Sequence, residues 1–322
     1  QALTDKQEFW DSGLWGKAPE QKDFLFVRLG AGNLPMYGNI KFPDDRFSIE
    51  DDVMRERLFA FQREERLLLN VPIGISLLKN RAVGIVGNRE GVFQLLNNML
   101  MQIMLLHSYD EVKIICMMEA YDEKNFPFIR YAQHTWDNEG RRRFLAVSEE
   151  NLRELSMDVN KVIRERKERD KKDGAIVLPH YIILSVSAEL ANKCAFLSDI
   201  LEDETISGFS VICAYDEVKS LPKECKTIIE VNDTQGMLYD TTTSGGGVIN
   251  FAQDMVSTDY AKKLVYRMTA KRLDLNQGRY ALPEMLTFLE MFGVGKIEHL
   301  NIVQRWKDNN PVKSLRAPVG VD

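Results

Sequence analysis

The sequence is short of several features that would point at once to a function class. It has four cysteines in 322 residues, at positions 116, 194, 213 and 225, and no two of them form a CxxC pair. That excludes a disulfide scaffold and the usual zinc and dithiol motifs. Three of the four sit in apolar runs, as buried free thiols of a reducing compartment do. The four histidines stand singly, so a zinc site has no ligand spacing to build on. Neither sign of charge dominates: 42 basic against 48 acidic side chains leave a net −6, which gives no general attraction to nucleic acid or anionic lipid. No secretory signal opens the chain. It starts at Gln1 rather than Met and reads as an excised piece of a longer protein, whose targeting signals would lie outside it. One long stretch without charge, residues 91–109, is a candidate membrane span. It contains Gln94, Asn97, Asn98, Gln102 and His107, and amides are costly in hydrocarbon. A helix buried against a sheet is the expectation. What remains, with 44% hydrophobic and 28% charged residues, is an ordinary globular composition, long enough for about two domains or one large α/β domain with attachments.

The N-terminal part carries aromatic anchors (Phe9, Trp10, Trp15) and a strand-like run, Phe24–Val27, ending in Gly30-Ala-Gly-Asn-Leu-Pro35, which its glycines and proline mark as a loop. A charged helix is expected from Ser48 to Leu69, capped by Ser48 with Asp51. From residue 81 onward strands and helices alternate. Strands are expected at Ala82–Val86, Val112–Met118, Arg143–Val147, Tyr181–Val186, Phe209–Ala214 and Thr227–Val231. Helices are expected over 91–109, Glu149–Lys172, Ala188–Leu201 and Thr258–Lys271, with a short one near Glu284–Met291. Continuous apolar runs such as Val112–Met118 suit strands covered on both faces, and the alternation implies a mostly parallel sheet with helices on both sides. Three segments follow: residues 1–80 as an α+β extension packed on the core, 81–300 as the core domain, and 301–322 as a proline-containing linker to a following module. Val71-Pro-Ile-Gly-Ile75 recurs in type as Ala317-Pro-Val-Gly-Val321, as in an array of similar modules.

The turn after Val83–Val86 has the context of a phosphate-binding loop: a buried strand, glycines, then a helix. Its chemistry differs. Counting from Gly87, Phe93 stands where a Lys would reach the β/γ-phosphates and Gln94 where a hydroxyl would hold Mg²⁺. Glu90 brings negative charge to the loop, and Arg89 is its one compensating cation. Taken alone, the turn also fits a plain strand–helix connection that uses glycine for backbone reasons. After Tyr181–Leu184, where metal-binding and water-orienting acids are expected, stand Ser185, Val186 and Ser187, and Glu189 begins the next helix. The strand Phe209–Ala214 ends in Tyr215-Asp216, where a polar sensor of the γ-phosphate would sit. Three elements follow in the right order, each without its catalytic group.

With these residues in view, the chain resembles the FtsK/SpoIIIE-type ATPases of bacterial type VII secretion, the EssC/EccC proteins, and among their parts the first, degenerate, membrane-proximal ATPase-like domain. The likeness is carried by Phe24–Gly32, Val71–Gly74, Arg81–Arg89, Pro179–Leu184, and the closing Phe288-Leu289, Val294, Trp306 and Leu315–Gly320. It implies a RecA-like domain on the cytoplasmic side of a plasma-membrane protein, within a motor that exports WXG100-type proteins. Implied partners are the other ATPase domains of the same protein, further copies in a hexameric ring, and the secretion membrane complex. Because this sequence departs from the working domains at Phe93, Gln94 and Ser187, hydrolysis does not carry over. No cofactor is expected here, ATP and Mg²⁺ being left to the parent's other domains. Gly87, Asn88, Arg89 and Gly91 match the loop position and are the candidate nucleotide contacts.

Two other readings stay open: a weak ATPase in which Arg89 replaces the Lys, and a nucleic-acid translocase suggested by the FtsK kinship. The first lacks preorganised charge stabilisation, and the second lacks a basic stripe interleaved with aromatics. Lys161–Asp173 reads as a solvated helix face with paired charges. Arg141–Arg143 could present an arginine to a neighbour's nucleotide, Thr241–Gly247 reads as a flexible hairpin connection, and Met99, Met101 and Met104 read as core filler.

Overall fold

A computed structural model describes residues 4–36, 53–63, 66–137, 140–167, 176–242, 247–271, 273, 288–291, 296–300 and 302–308. Residues 1–270 form one compact unit and 271–322 another. In chain order the first unit contains a π-type turn at Phe9–Gly13, β1 (Phe26–Pro35), α1 (Val53–Arg63), β2 (Leu67–Ser76), β3 (Ala82–Gly87), α2 (Arg89–Leu106), β4 (Val112–Met117) and β5 (Leu145–Ala146). It continues with α3 (Glu149–Lys167), β6 (His180–Ser185), α4 (Ala188–Asn192), α5 (Ala195–Glu202), β7 (Phe209–Ala214), β8 (Thr227–Asn232), β9 (Gln235–Asp240), β10 (Ile249–Gln253) and α6 (Thr258–Thr269).

The ten strands among the described residues join one sheet in the order β2-β1-β10-β9-β8-β3-β7-β6-β4-β5. From β8 to β5 every pairing is parallel, and from β8 to β2 every pairing is antiparallel. The central parallel strands are mostly apolar because helices cover both faces: β4 and β7 are buried along their whole length. The core divides accordingly. One cluster packs α2, α6 and the N-terminal aromatics on one face, and the other packs α3, α4 and α5 on the opposite face.

Helix α2, uncharged from Gly91 onward, shows why amides sit in an otherwise apolar sequence. The β1–β2 ladder shifts register between Arg28 and Gly30, so β1 backbone groups near the bulge need other partners. Gln102 Oε1 accepts from Arg28 N at 2.9 Å, while Gln102 Nε2 and Asn98 Nδ2 donate to Arg28 O at 2.7 and 3.3 Å. The far end of α2 is closed by the N-terminal segment: Trp15 N and Lys17 N donate to Leu105 O and Leu106 O, and Trp15 Nε1 to Met104 O. These bonds satisfy carbonyls that a helix C-terminus leaves open. Met99, Met101 and Met104 are buried core residues. No helix among the described residues is long and apolar enough to cross a membrane.

Gly30–Pro35, expected as a loop, lies inside β1. At Gly30 a Cβ would stand 1.9 Å from the Ala252 carbonyl oxygen, so glycine serves close strand approach here, not a turn. The helix expected over 48–69 is described only at Val53–Arg63, with residues 48–52 outside the described residues, and Leu67–Leu69 belong to β2 instead. The helix expected over 188–201 is two helices, because Cys194 adopts extended backbone between α4 and α5. In the polar run from Lys161, Arg166 is not solvated. Its guanidinium lies over the Tyr181 and Phe209 rings and donates to the carbonyls of Ser207, Gly208 and Pro179. Residues 168–175 and most of the Thr241–Gly247 run lie outside the described residues.

The second unit contains α7 (Phe288–Met291), a 3₁₀ turn at Ile297–Leu300 and α8 (Ile302–Asp308), the last at the start of the stretch read as linker. Val294 and Leu315–Gly320 lie outside the described residues.

Candidate functional site

The candidate residues meet at the carboxyl ends of the parallel strands. β3 ends at Gly87, and Asn88 alone separates it from α2. Gly87 has φ +138, and a Cβ there would stand 1.9 Å from the Val231 carbonyl oxygen. This position therefore requires glycine. Asn88 N donates to that same carbonyl at 3.2 Å. Asn88 is also the N-cap of α2, its Oδ1 accepting from Gly91 N at 2.9 Å, while its Nδ2 donates to Asp233 Oδ1. Gly91 O in turn accepts from Gln253 Nε2 at 3.3 Å. A loop that cradles phosphate directs successive N–H groups at the ligand. In this turn the amides of Asn88 and Gly91 are bonded to the protein itself.

Arg89 is equally engaged. Its Nη2 lies 2.5 Å from Asp122 Oδ2 and its Nη1 3.3 Å from Asp216 Oδ1, and the guanidinium rests over the Phe93 and Tyr121 rings. Asp122 is only 1% exposed and Asp216 83%. The hydrogen bond to Asp122 raises the pKa of Arg89 in spite of its partial desolvation. Phe93, at the Lys position, is buried and meets Phe126 edge-on at 5.3 Å. Gln94, at the hydroxyl position, reaches Glu90 Oε1 at 3.5 Å. Ser187 Oγ donates to Glu119 Oε1 at 2.5 Å and accepts from Leu190 N as the N-cap of α4. A cleft of about 700 Å³ opens beside Gly87 and Asn88, lined also by Asp216, Glu217 and Glu230.

Gly87, Asn88, Arg89 and Gly91 are thus together with Phe93, Gln94, Ser187 and Asp216 along one edge. Glu119 and Asp122 were missed. The signal for them is the strand Val112–Met118, which runs directly into Glu119. No lysine stands at the turn, and its one cation is held by two carboxylates. Among the described residues no group of three or more His, Cys, Asp or Glu side chains is arranged to hold a metal ion. Arg141–Arg143 lie elsewhere, beside the edge strand β5. Arg142 pairs with Asp158, and Arg143 lies over the Trp136 ring. β5 is four strand positions from β3, roughly 19 Å at the usual strand spacing.

No family model matches the chain. Among curated proteins it is 25% identical over 314 residues to the ESX secretion system protein EccC of Geobacillus thermodenitrificans, covering 97% of this chain and 21% of that protein. It is 23% identical over 317 residues to the type VII secretion system protein EssC of Staphylococcus aureus, covering 96% and 21%. Its homologues are EccC/EssC proteins of type VII secretion. The chain spans about a fifth of the length of these EccC and EssC relatives. In fold it is similar to the second and third ATPases of Thermomonospora curvata EccC, solved with a signal sequence peptide, with TM-score 0.51, 12% identity, and coverage of 79% of this chain and 49% of that one. ATPases 2 and 3 of Geobacillus thermodenitrificans EssC give TM-score 0.51 at 11% identity, with 80% and 50% covered. The fold is that of these EccC/EssC ATPase domains, RecA-like.

Proposed function

We propose that this chain is a non-catalytic, ATPase-like coupling domain of a membrane-anchored type VII secretion motor, the first and membrane-proximal module of its parent. In this reading it passes force or conformational state between the membrane part and the ATPase modules that follow. It does so as one position of a hexameric ring, in the export of WXG100-type proteins. The observation that carries the reading is the clasp of Arg89 by Asp122 and Asp216. The only cation at the turn neutralises protein carboxylates from the loops after β4 and β7, so the loops that flank a nucleotide in a working domain are tied together by a side chain instead. Loss of both the lysine and the metal ligands removes preorganised charge stabilisation that is worth orders of magnitude in rate.

The test is phosphate release from ATP with Mg²⁺ by the whole 322-residue chain, beside its Arg89→Ala variant. The expected outcome is background release from both. Turnover that Arg89→Ala abolishes would establish the divergent-ATPase reading in place of this one. A salt-dependent shift of DNA in a gel would establish the translocase reading.

A further inference from the structure

The cleft beside Gly87 does not end there. A second cleft of about 460 Å³ lies over β1 and β10, and the two share Gln235 and Asn250, so they form one groove across the antiparallel side of the sheet. Among the described residues three carboxylates line it, those of Asp216, Glu217 and Glu230, and neither lining contains a lysine, arginine or histidine. Glu230 is held in place by the Tyr239 hydroxyl, which donates to its Oε1 at 2.5 Å. Asp216 shares its charge with Arg89, and Glu217 is exposed. Between and beyond these acids the groove exposes large apolar side chains: Val218 and Met237 in the first cleft, Leu67 and Val248 in the second. Exposed apolar side chains in a groove rimmed by like charge mark an interaction surface, and the sign of the rim selects the partner.

We propose that this groove docks a segment of a partner protein in which lysine or arginine side chains alternate with apolar ones, a basic amphipathic peptide. Its apolar side chains lie on Met237, Val218, Val248 and Leu67, and its cations meet Glu217, Glu230 and the outer oxygen of Asp216. The same site that in a nucleotide-binding relative would receive an anion here receives cations. The proposal rests on the turn holding no triphosphate, because phosphates in the first cleft would lie among these acids. It is tested without nucleotide, so its failure is distinguishable from the appearance of ATP turnover.

The probe is a fluorescein-labelled peptide of seven Leu-Lys repeats, titrated with the whole chain and followed by anisotropy. Its counterpart carries Glu in place of every Lys. Saturable binding of the lysine peptide is expected, weakened about tenfold by Glu217→Lys through like-charge repulsion and also weakened by Met237→Asp. Glu150→Lys, an equal charge change on α3, is expected to alter it less than about twofold, because exposed charges beyond a Debye length are screened. Circular dichroism checks that each variant is folded. If Met237→Asp is not, Glu217→Lys decides alone. Absence of saturable binding, equal binding of the glutamate peptide, or an equal loss with Glu150→Lys overturns the proposal. So does self-association in sedimentation velocity that Glu217→Lys abolishes, because the occupant is then a second copy of the chain.

Discussion

The two ends of the parallel strands handle polar groups in opposite ways. At the carboxyl ends, carboxylates have side-chain partners: Asp122 and Asp216 pair with Arg89, Glu119 with Ser187, and Asp233 with Asn88. At the amino ends, neutral imidazoles and one ammonium are buried with few partners. His107 accepts from Leu25 N at its Nε2, and its Nδ1 faces Ile103 O. His134 Nε2 meets His107 O, and His180 Nε2 meets Ser210 Oγ. Lys113 Nζ donates to Trp136 O at 2.8 Å. Burial lowers the pKa of His107 to about 4 and those of His134 and His180 to about 3, and it lowers Lys113 to about 8. The amino ends therefore set how stability depends on pH, while the carboxyl ends decide which ligand charge the domain accepts.

The largest effect that sharpens this contrast is acid destabilisation. The histidines are neutral when folded and take up protons near pH 6.5 when unfolded, so the unfolded state binds more protons between about 6.5 and 3 to 4. Stability is then lost as pH falls through that window, by on the order of 10 kcal/mol for the three together. Urea midpoints between pH 7 and 4 measure it, and a flat profile would break the account of the amino ends. Next in size, Gly87→Ala forces a Cβ onto the Val231 carbonyl at positive φ and is expected to destabilise by about 3 kcal/mol, read from the same urea curves. Arg89→Ala leaves the buried Asp122 without its cation and is expected to cost about 2 kcal/mol, below the range for fully buried pairs because Arg89 is half-exposed. Asp216→Ala is expected to stay within about 0.5 kcal/mol. Equal effects of these two would show that the clasp is not centred on Asp122. Lys113→Met changes a pH dependence at the amino ends. Because the folded state holds Lys113 neutral above about pH 8 and the unfolded state above 10.5, stability contributed through this group rises with pH between those values. The substitution is expected to flatten that rise and to add about 1 kcal/mol at pH 7, as thermal melts at pH 7, 8 and 10 would show.

The parallel half was legible because its strands are continuous apolar runs, and Val112–Met117, Phe209–Ala214 and the start of β3 lie within a residue of where the pattern placed them. The antiparallel half was not. β9 and β10 are not continuous apolar runs and carry polar residues such as Gln235, Asp240, Asn250 and Gln253. The glycines of β1 serve close strand contact, which in sequence looks the same as turn chemistry. At the site, the missing lysine and hydroxyl could be read directly as Phe93 and Gln94. The clasp could not, because Asp122 lies 33 residues from Arg89 and Asp216 lies 127 away, and only the sheet order brings their loops together.

Calorimetric titration of the whole chain with ATP and Mg²⁺ at micromolar protein tests most directly whether the carboxyl edge is closed by its own charges. No saturable heat is expected, in the intact chain or in Asp216→Ala. A one-to-one isotherm that disappears with Arg89→Ala would contradict it.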